Sequence, residues 1–500
     1  MTKINSHIFR AYDIRGKAML DDGSTDPDKV DLSEESVYLI TRGIATYMRR
    51  KLNLPKEEMM HVVVGRDVRL TGPKLLNAMI QALKDTHCRV ANIDLATSPL
   101  VYYATCKYGF DLGLVLTASH NHKNDNGIKI VEKDAHSICG EELQEILKLT
   151  QERDFENYDN YVDSPGESYE LEQAFEDYTK DLIEKLPLSQ TERPLKVAVD
   201  AGNGVVGMFI GPLLREAGCE VVELYTELDG NYPNHEANPE YAENLTELMQ
   251  KVVEEKCDLG FGFDGDGDRI GVIDEKGQHY AADQIIILLA RDILSRMPGS
   301  KIVFDVKCSL LLQKEIEKSG GIPVIEKTGH SFIENRMHKE NSPLAGEVSG
   351  HIFIAEDYYG FDDAMFATLK IIKILSEVRN ASEQESLENP TIHFSDLLSD
   401  LPPTYATPEI KVPCPDEKKF DIVKKVTEHF ERDHNCLKID GVKIHFSDTT
   451  WGLVRSSNTS AYLTLRFEAD SESELKDVQL KVAKHLESYP ELDLKWAKQL

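Results

Sequence analysis

Leu112-Gly113-Leu114-Val115-Leu116-Thr117-Ala118-Ser119-His120-Asn121 joins a short apolar run to a polar bend. The run from Leu112 to Leu116 predicts a short buried strand that ends in a polar turn at Ser119. Upstream, the pattern predicts strand, helix and strand at His61 to Gly65, Pro73 to Thr86 and Arg89 to Leu95, after a helix over 33 to 52 capped by Ser33. Such alternation predicts a parallel sheet with crossover helices. Asn5 to Gly16 reads as an extended N-terminal edge strand.

The alternation returns twice. Polar residues from Gln151 to Glu167 read as a linker, and a helix from Tyr169 to Leu186 leads to strands at Leu195 to Val199, Glu220 to Leu224 and Asp258 to Phe263. A third unit has helices at Asp283 to Arg296 and Leu310 to Lys318, strands at Lys301 to Val306 and Pro323 to Glu326, and a closing helix at Asp363 to Ser376. The polar stretch Asn380 to Thr404, with Pro390 and Pro402-Pro403, reads as a boundary. Beyond it the expected order is strand (Glu409 to Val412), helix (Glu417 to Arg432), strands (Lys438 to Phe446, Leu453 to Ser456, Tyr462 to Phe467) and helix (Glu472 to Tyr489), an antiparallel sheet backed by helices. The expected domains are residues 1–163, 164–279, 280–397 and 398–500, three related α/β units and a C-terminal α+β unit.

Composition narrows the function. Five hundred residues at 41% hydrophobic and 29% charged fit a soluble globular protein with cores of ordinary size. The N-terminus lacks a signal-type apolar core and no apolar run reaches membrane-span length, so a cytoplasmic location is expected. The eight cysteines are scattered without Cys-x-x-Cys pairs, which predicts reduced thiols rather than a zinc site. A net charge of −30 argues against nucleic acid and anionic membrane as partners.

Three motifs carry chemistry. In Asp264-Gly265-Asp266-Gly267-Asp268 the alternating carboxylates can converge on a hard divalent cation. A calcium EF-hand is the nearest alternative, because Glu275 falls at its twelfth position; Arg269 occupies the sixth, where that loop needs glycine, and the flanks read as strands. Glu347, Ser349 and His351 alternate within Gly346 to His351, so an extended loop would point all three one way, toward sugar hydroxyls. Arg455-Ser456-Ser457-Asn458-Thr459 offers a phosphate cradle between two strands. Ser119 taken alone reads as a helix cap, and its neighbour His120 does not make it a hydrolase, since no Gly-x-Ser-x-Gly elbow is present. Lys129 follows in Asn126-Gly127-Ile128-Lys129 as a cation that could neutralise a phosphate.

One motif points elsewhere. Gly202-Asn203-Gly204-Val205-Val206-Gly207 follows a strand, and Glu223 lies about 20 residues on, as in a dinucleotide site. An NAD(P)-dependent oxidoreductase therefore stays in play beside a plain strand-to-helix turn, which is the preferred reading because no second nucleotide feature accompanies it.

Taken in order, Phe9 to Gly16, Val64 to Asp67, Thr117 to Asn121, Asp264 to Arg269, Lys327 to His330, Gly346 to His351 and Arg455 to Thr459 resemble the α-D-phosphohexomutase superfamily, nearest its bacterial phosphomannomutase/phosphoglucomutase branch. The resemblance implies four domains around a central cleft and interconversion of hexose 1-phosphate and hexose 6-phosphate through a hexose 1,6-bisphosphate that reorients. It implies phosphorylation of Ser119 and one Mg²⁺ held by that group with Asp264, Asp266 and Asp268. Arg15, Lys129 and His351 would serve proton transfer and charge neutralisation. Tyr12, Arg269, Lys307, His330, Glu347 and Ser349 would contact the sugar phosphate, and Arg455, Ser457, Asn458 and Thr459 would hold the phosphate that does not react. A small phosphosugar is the implied partner, for a monomer or homodimer. His122-Lys123 stand where the family usually has proline after Asn121, and Glu-Val-Ser-Gly-His is nearer the mannose and glucose type than the phosphoglucosamine mutase type, which remains the alternative.

Overall fold

The structure is a computed structural model that describes residues 4–157, 166–189, 191, 193–385, 391–457 and 461–500. Three sheets repeat one plan. In the first, Met60–Arg66 lies between the parallel strands Cys88–Leu95 and Leu112–Leu116, and Asp125–Glu132 turns back antiparallel to Leu112–Leu116. In the second, Lys196–Asp200 lies between parallel Glu220–Leu224 and Leu259–Phe263, and Ile270–Asp274 turns back. In the third, Lys301–Asp305 lies between parallel Ile322–Glu326 and Leu344–Gly346, and Ile352–Ile354 turns back.

The parallel strands expected from the alternation form the centre of each sheet, and the returning antiparallel strand makes each of these α/β units mixed. A strand that closes a hairpin needs only a tight turn, whereas a parallel neighbour needs a crossover helix. Alternation alone does not give the direction of the returning strands; Ile270–Asp274, for instance, is buried at every position, like the parallel strand it follows.

Of Asn5 to Gly16, expected to be extended throughout, Ser6–Ile8 is a 3-10 turn and only the last three residues enter the edge strand Ile14–Lys17, antiparallel to Asp125–Glu132. The helix expected from Tyr169 instead begins at Ala174, because Glu167–Glu170 adds a parallel edge strand to Cys88–Leu95. The closing helix runs longer than expected, Ala364–Glu385, and Phe394 and Leu398, within the polar stretch beyond it, are buried in the central core. The division at residues 163 and 164 falls outside the described residues.

The C-terminal sheet is antiparallel, with helices Asp416–Phe430 and Glu472–Leu486 packed on it. The strand expected over Lys438 to Phe446 is shorter, Val442–His445, and a further strand, Asn435–Leu437, precedes the expected range and pairs with Val442–His445. They are separated by Asp440 and Gly441 at φ +53° and +96°, conformations that end a strand. This unit joins the third through Trp451 and Leu453, which pack on Val306 and Leu310.

Candidate active site

The site is built on hairpin turns. Ser119 follows Leu112–Leu116, the aspartates follow Leu259–Phe263, Glu347 to His351 follow Leu344–Gly346, and Ser457 follows Trp451–Ser456. Four separate sheets thus present equivalent corners to one place.

Ser119 is buried, sits at φ +52° and lies between strands Leu112–Leu116 and Asp125–Glu132 with no helix on either side, so it is not a helix cap. Its backbone N–H donates to Thr117 Oγ1 at 2.8 Å, and that hydroxyl donates to Asp67 at 2.7 Å. Buried Arg69 pairs with Asp67 and donates to the carbonyls of Ser119, Asn121, His122 and Asp125 at 2.7–2.8 Å. Arg15 pairs with Asp13 at 2.5 Å and donates to the Ala118 carbonyl and Asn121 Oδ1. A turn with this many unpaired carbonyls would be costly to bury; the two guanidiniums satisfy them. His122 and Lys123, where proline was expected, lie within this clamped loop.

Ser119 Oγ donates to Asp264 Oδ2 at 2.6 Å and lies 3.2 Å from His120 Nδ1, a closer neighbour than adjacent residues usually provide. Burial and the charges of Arg269 and Arg15 hold that imidazole well below its ordinary pKa. The other Asp264 oxygen accepts three backbone N–H groups, from Gly267, Asp268 and Arg269. Asp266 Oδ2 accepts from Ser98 Oγ and from Lys129 Nζ, both at 2.6 Å, and Lys129 also contacts Asp268. Burial, with like charge from Asp268 and Asp266, pushes the Asp264 carboxyl well up. In Asp268 burial works the same way, but Lys129 and His351 overcome it and hold that group well down.

Ligand oxygens of the three aspartates lie within 4.8 Å of one another, all buried. Asp266 Oδ1 and Asp268 Oδ1 have no hydrogen-bond partner. Hard oxygen donors with orphaned lone pairs at this spacing fit a divalent cation such as Mg²⁺. The strand flanks remove the EF-hand reading, which requires helices on both sides.

Toward the third sheet, the expected extended loop is instead a turn, closed by Gly350 N–H donating to the Glu347 carbonyl with Gly350 at φ +100°. The turn brings Glu347 Oε2 to 2.9 Å from His351 Nδ1, while Gly329 N–H donates to Glu347 Oε1 at 2.7 Å. Burial and Arg269 lower the His351 pKa, but Asp268 and Glu347 raise it further, to about 9. A protonated ring has no acceptor for Arg269 Nε at 3.2 Å, so that approach is two cations sharing Asp264 and Asp268 rather than a hydrogen bond. His330 stacks on His351 at 5.4 Å and meets the edge of Tyr12 at 5.2 Å. Lys307 donates to Glu409 at 2.6 Å, and Arg455 pairs with Asp440 at 2.8 Å.

Tyr12, Arg15, Arg269, Lys307, His330, Glu347, Ser349, His351, Arg455 and Ser457 all line one cavity of about 160 Å³, which receives residues from all four units. Ser119 itself lines a separate hollow of about 260 Å³ beside Tyr232; His120 lines both. Lys129 and the aspartates lie behind the cavity wall. Asn458 and Thr459 lie outside the described residues. Sequence reasoning missed Arg69, Ser98, Glu409 and Glu240, the last a second-unit carboxylate that lines the cavity. Arg69 follows the quoted Val64 to Asp67 by two residues and was within reach; Ser98 and the two glutamates carry no local signal.

The glycine-rich turn has another use. A Cβ on Gly204 would meet Gly265 O at 2.9 Å and Gly265 Cα at 3.0 Å, and a Cβ on Gly265 would meet Ser119 O at 2.8 Å. Backbone thus packs on backbone from Gly204 through the aspartate turn to Ser119, leaving no room there for a pyrophosphate.

Comparison with known proteins agrees with this geometry. The chain matches the descriptions "Phosphoglucomutase/phosphomannomutase, alpha/beta/alpha domain I", "domain II" and "domain III" over residues 6–157, 176–277 and 281–392, and "C-terminal domain" over 409–485. A phosphomannomutase/phosphoglucomutase of Pseudomonas putida is 39% identical over 473 residues, 94% of each chain. A phosphoglucomutase of Neisseria gonorrhoeae is 35% identical over 98% of this chain and 99% of its own. A phosphoglucomutase/phosphomannomutase family protein of Burkholderia thailandensis, solved by X-ray crystallography, superposes with a TM-score of 0.83 at 33% identity, covering 97% of this chain and 98% of that one. No helix among the described residues is long and apolar enough to cross a membrane. With four matched domains in order and full-length relatives, the chain is an isomerase that belongs to the phosphoglucomutase/phosphomannomutase family.

Proposed function

We propose that the protein interconverts the 1- and 6-phosphates of mannose and glucose, with Ser119 as a reloadable phosphate carrier. The observation that carries this reading is Ser119 Oγ, fixed 2.6 Å from Asp264 at the edge of a buried carboxylate cluster. A phosphoryl group on Ser119 would pass to the free hydroxyl of the bound sugar phosphate: the hydroxyl gives up its proton as its oxygen bonds to phosphorus, the bond to Oγ breaks and Oγ takes up a proton, and the product is a hexose 1,6-bisphosphate. After the sugar turns, the other phosphate returns to Ser119.

Asp264, Asp266 and Asp268, with an oxygen of the serine phosphate, would hold one Mg²⁺. When bound, the ion stabilises charge on the transferring phosphoryl oxygens. Arg15, Lys129 and His351 serve proton transfer and charge neutralisation. Glu347 and Ser349 orient the sugar hydroxyls, Tyr12, Arg269, Lys307 and His330 shape the pocket, and Arg455, Ser457, Asn458 and Thr459 hold the phosphate that does not react. Lys307 and Arg455 pair with Glu409 and Asp440, carboxylates whose place a substrate phosphate can take as the counter-ion. The domain divisions near residues 163, 279 and 397, a cytoplasmic setting, and a monomer or homodimer with phosphosugar as its small partner belong to the same proposal.

Conversion of mannose 1-phosphate, glucose 1-phosphate and glucosamine 1-phosphate, each with a trace of the corresponding 1,6-bisphosphate, tests the reading. The highest kcat/KM is expected for mannose or glucose; a preference for glucosamine would reassign the sugar, and no 6-phosphate from any would remove the reading. Intact mass after incubation with the bisphosphate is expected to show one added phosphate, absent in Ser119→Ala.

A further inference from the structure

The cavity that holds the sugar is a poor place to turn it. Contacts that fix a hexose phosphate for transfer must all be released before its two ends exchange. The inner cavity has a volume of about 160 Å³, and it shares Tyr12, Arg15, His120, Tyr241, Lys411 and Tyr462 with an outer hollow of about 520 Å³.

The outer hollow is more than an entrance. Asp13 is taken by Arg15, Asp31 accepts from Asn5 and the Lys17 N–H and faces His7, and Asp125 accepts from Asn121. Of the carboxylates lining it, exposed Glu236 alone lacks a side-chain partner among the described residues. Against it stand three cations with no carboxylate partner among the described residues, Arg10, Lys17 and Lys411. Arg10 is half-buried, and Lys411 lies over the Tyr462 ring at 5.8 Å, where inner and outer spaces meet. Four carboxylates and four Lys/Arg side chains line the hollow, so its formal charge balances, but Arg10 and Lys411 have no carboxylate of their own and can each take a phosphate of a doubly phosphorylated sugar that has left the inner contacts and must not reach bulk water.

Resting on the phosphohexomutase reading, we infer that the outer hollow is the turning site of the bisphosphate, with Arg10 and Lys411 holding the phosphate that has left the inner cradle. The two side chains act as a tether: they retain the intermediate between its two transfers and take no part in either.

The test uses the full-length enzyme, phosphorylated with glucose 1,6-bisphosphate, desalted, and given glucose 1-phosphate and Mg²⁺. The quantity read is free glucose 1,6-bisphosphate released per glucose 6-phosphate formed, by chromatography or ³¹P NMR. In the double variant Arg10→Gln, Lys411→Gln this ratio is expected to rise about tenfold or more, as loss of charged phosphate contacts implies. The charge-keeping variant Arg10→Lys, Lys411→Arg is expected to return it toward wild type, and added bisphosphate to restore turnover of the Gln variant. An unchanged ratio in the Gln variant overturns the inference and leaves the mutase reading standing. If the wild-type phosphoenzyme transfers nothing to glucose 1-phosphate or mannose 1-phosphate, the mutase reading falls and this inference with it.

Discussion

Two neighbouring turns of the second sheet stand in sharp contrast. The turn after Lys196–Asp200 is glycine-rich and looks like a nucleotide site; the turn after Leu259–Phe263 is crowded with carboxylates and looks like a liability. In the folded chain the first sets its backbone and the Val206 side chain against the glycines of the second, and the second touches Ser119 and Lys129. Glycines there serve closeness, and carboxylates serve chemistry. A motif is thus defined less by its own spelling than by what the fold sets against it, and four substitutions can break or sharpen that contrast.

The largest effect is expected from Ser119→Ala. If the aspartate turn exists to serve a phosphorylated Ser119, removing the hydroxyl should lower kcat by at least about 10³-fold, with unchanged circular dichroism. Full activity in this variant would leave the carboxylates without a client.

Next come the carboxylates. Asp268→Asn is expected to cost about 10²-fold or more in kcat/KM and to weaken Mg²⁺ affinity, measured by metal titration of chelator-treated enzyme. Wild type stripped with chelator should lose activity and regain it with Mg²⁺. Activity indifferent to chelation would make the cluster a structural ion network centred on Lys129.

How much of this was legible beforehand follows from the range of each interaction. The aspartates were readable because alternation within a strand-flanked turn is local, and Arg455 and Glu347 for the same reason. Ser119 taken alone was not, and only the ordered set of motifs singled it out, because its left-handed backbone and its partner Asp264, 145 residues away, exist only in the fold. The sheet units were visible in apolar periodicity, but the antiparallel direction of the returning strands was not, because periodicity carries no direction. Glu167–Glu170, exposed at every position, gave no strand signal because pairing with Cys88–Leu95 alone makes it one. Arg69 shows the limit most clearly: its role is to satisfy carbonyls of a loop about fifty residues later.

Arg455→Ala is expected to have a smaller effect of different kind. Its guanidinium faces a counter-ion a ligand can replace, so loss of one charged contact should raise KM about 10- to 100-fold with little change in kcat. A fall in kcat alone would move Arg455 from recognition to chemistry.

The smallest effect should come from Gly204→Ala, and it decides what the glycine turn is for. Gly204 has φ −75°, which alanine adopts freely, so any penalty comes from space rather than from backbone strain. The new methyl meets the Gly265 backbone at 2.9–3.0 Å and must push the aspartate turn toward Ser119. Such overpacking costs roughly 1–3 kcal/mol, and a small displacement of the turn should lower kcat about tenfold. Thermal melting and Mg²⁺ titration are expected to show lowered Tm and weakened metal binding together, since both follow from one moved loop. Wild type is expected to bind no NAD(P)H by fluorescence titration. Binding that Gly204→Ala abolishes, with Tm and metal affinity intact, would reverse the assignment of the two turns.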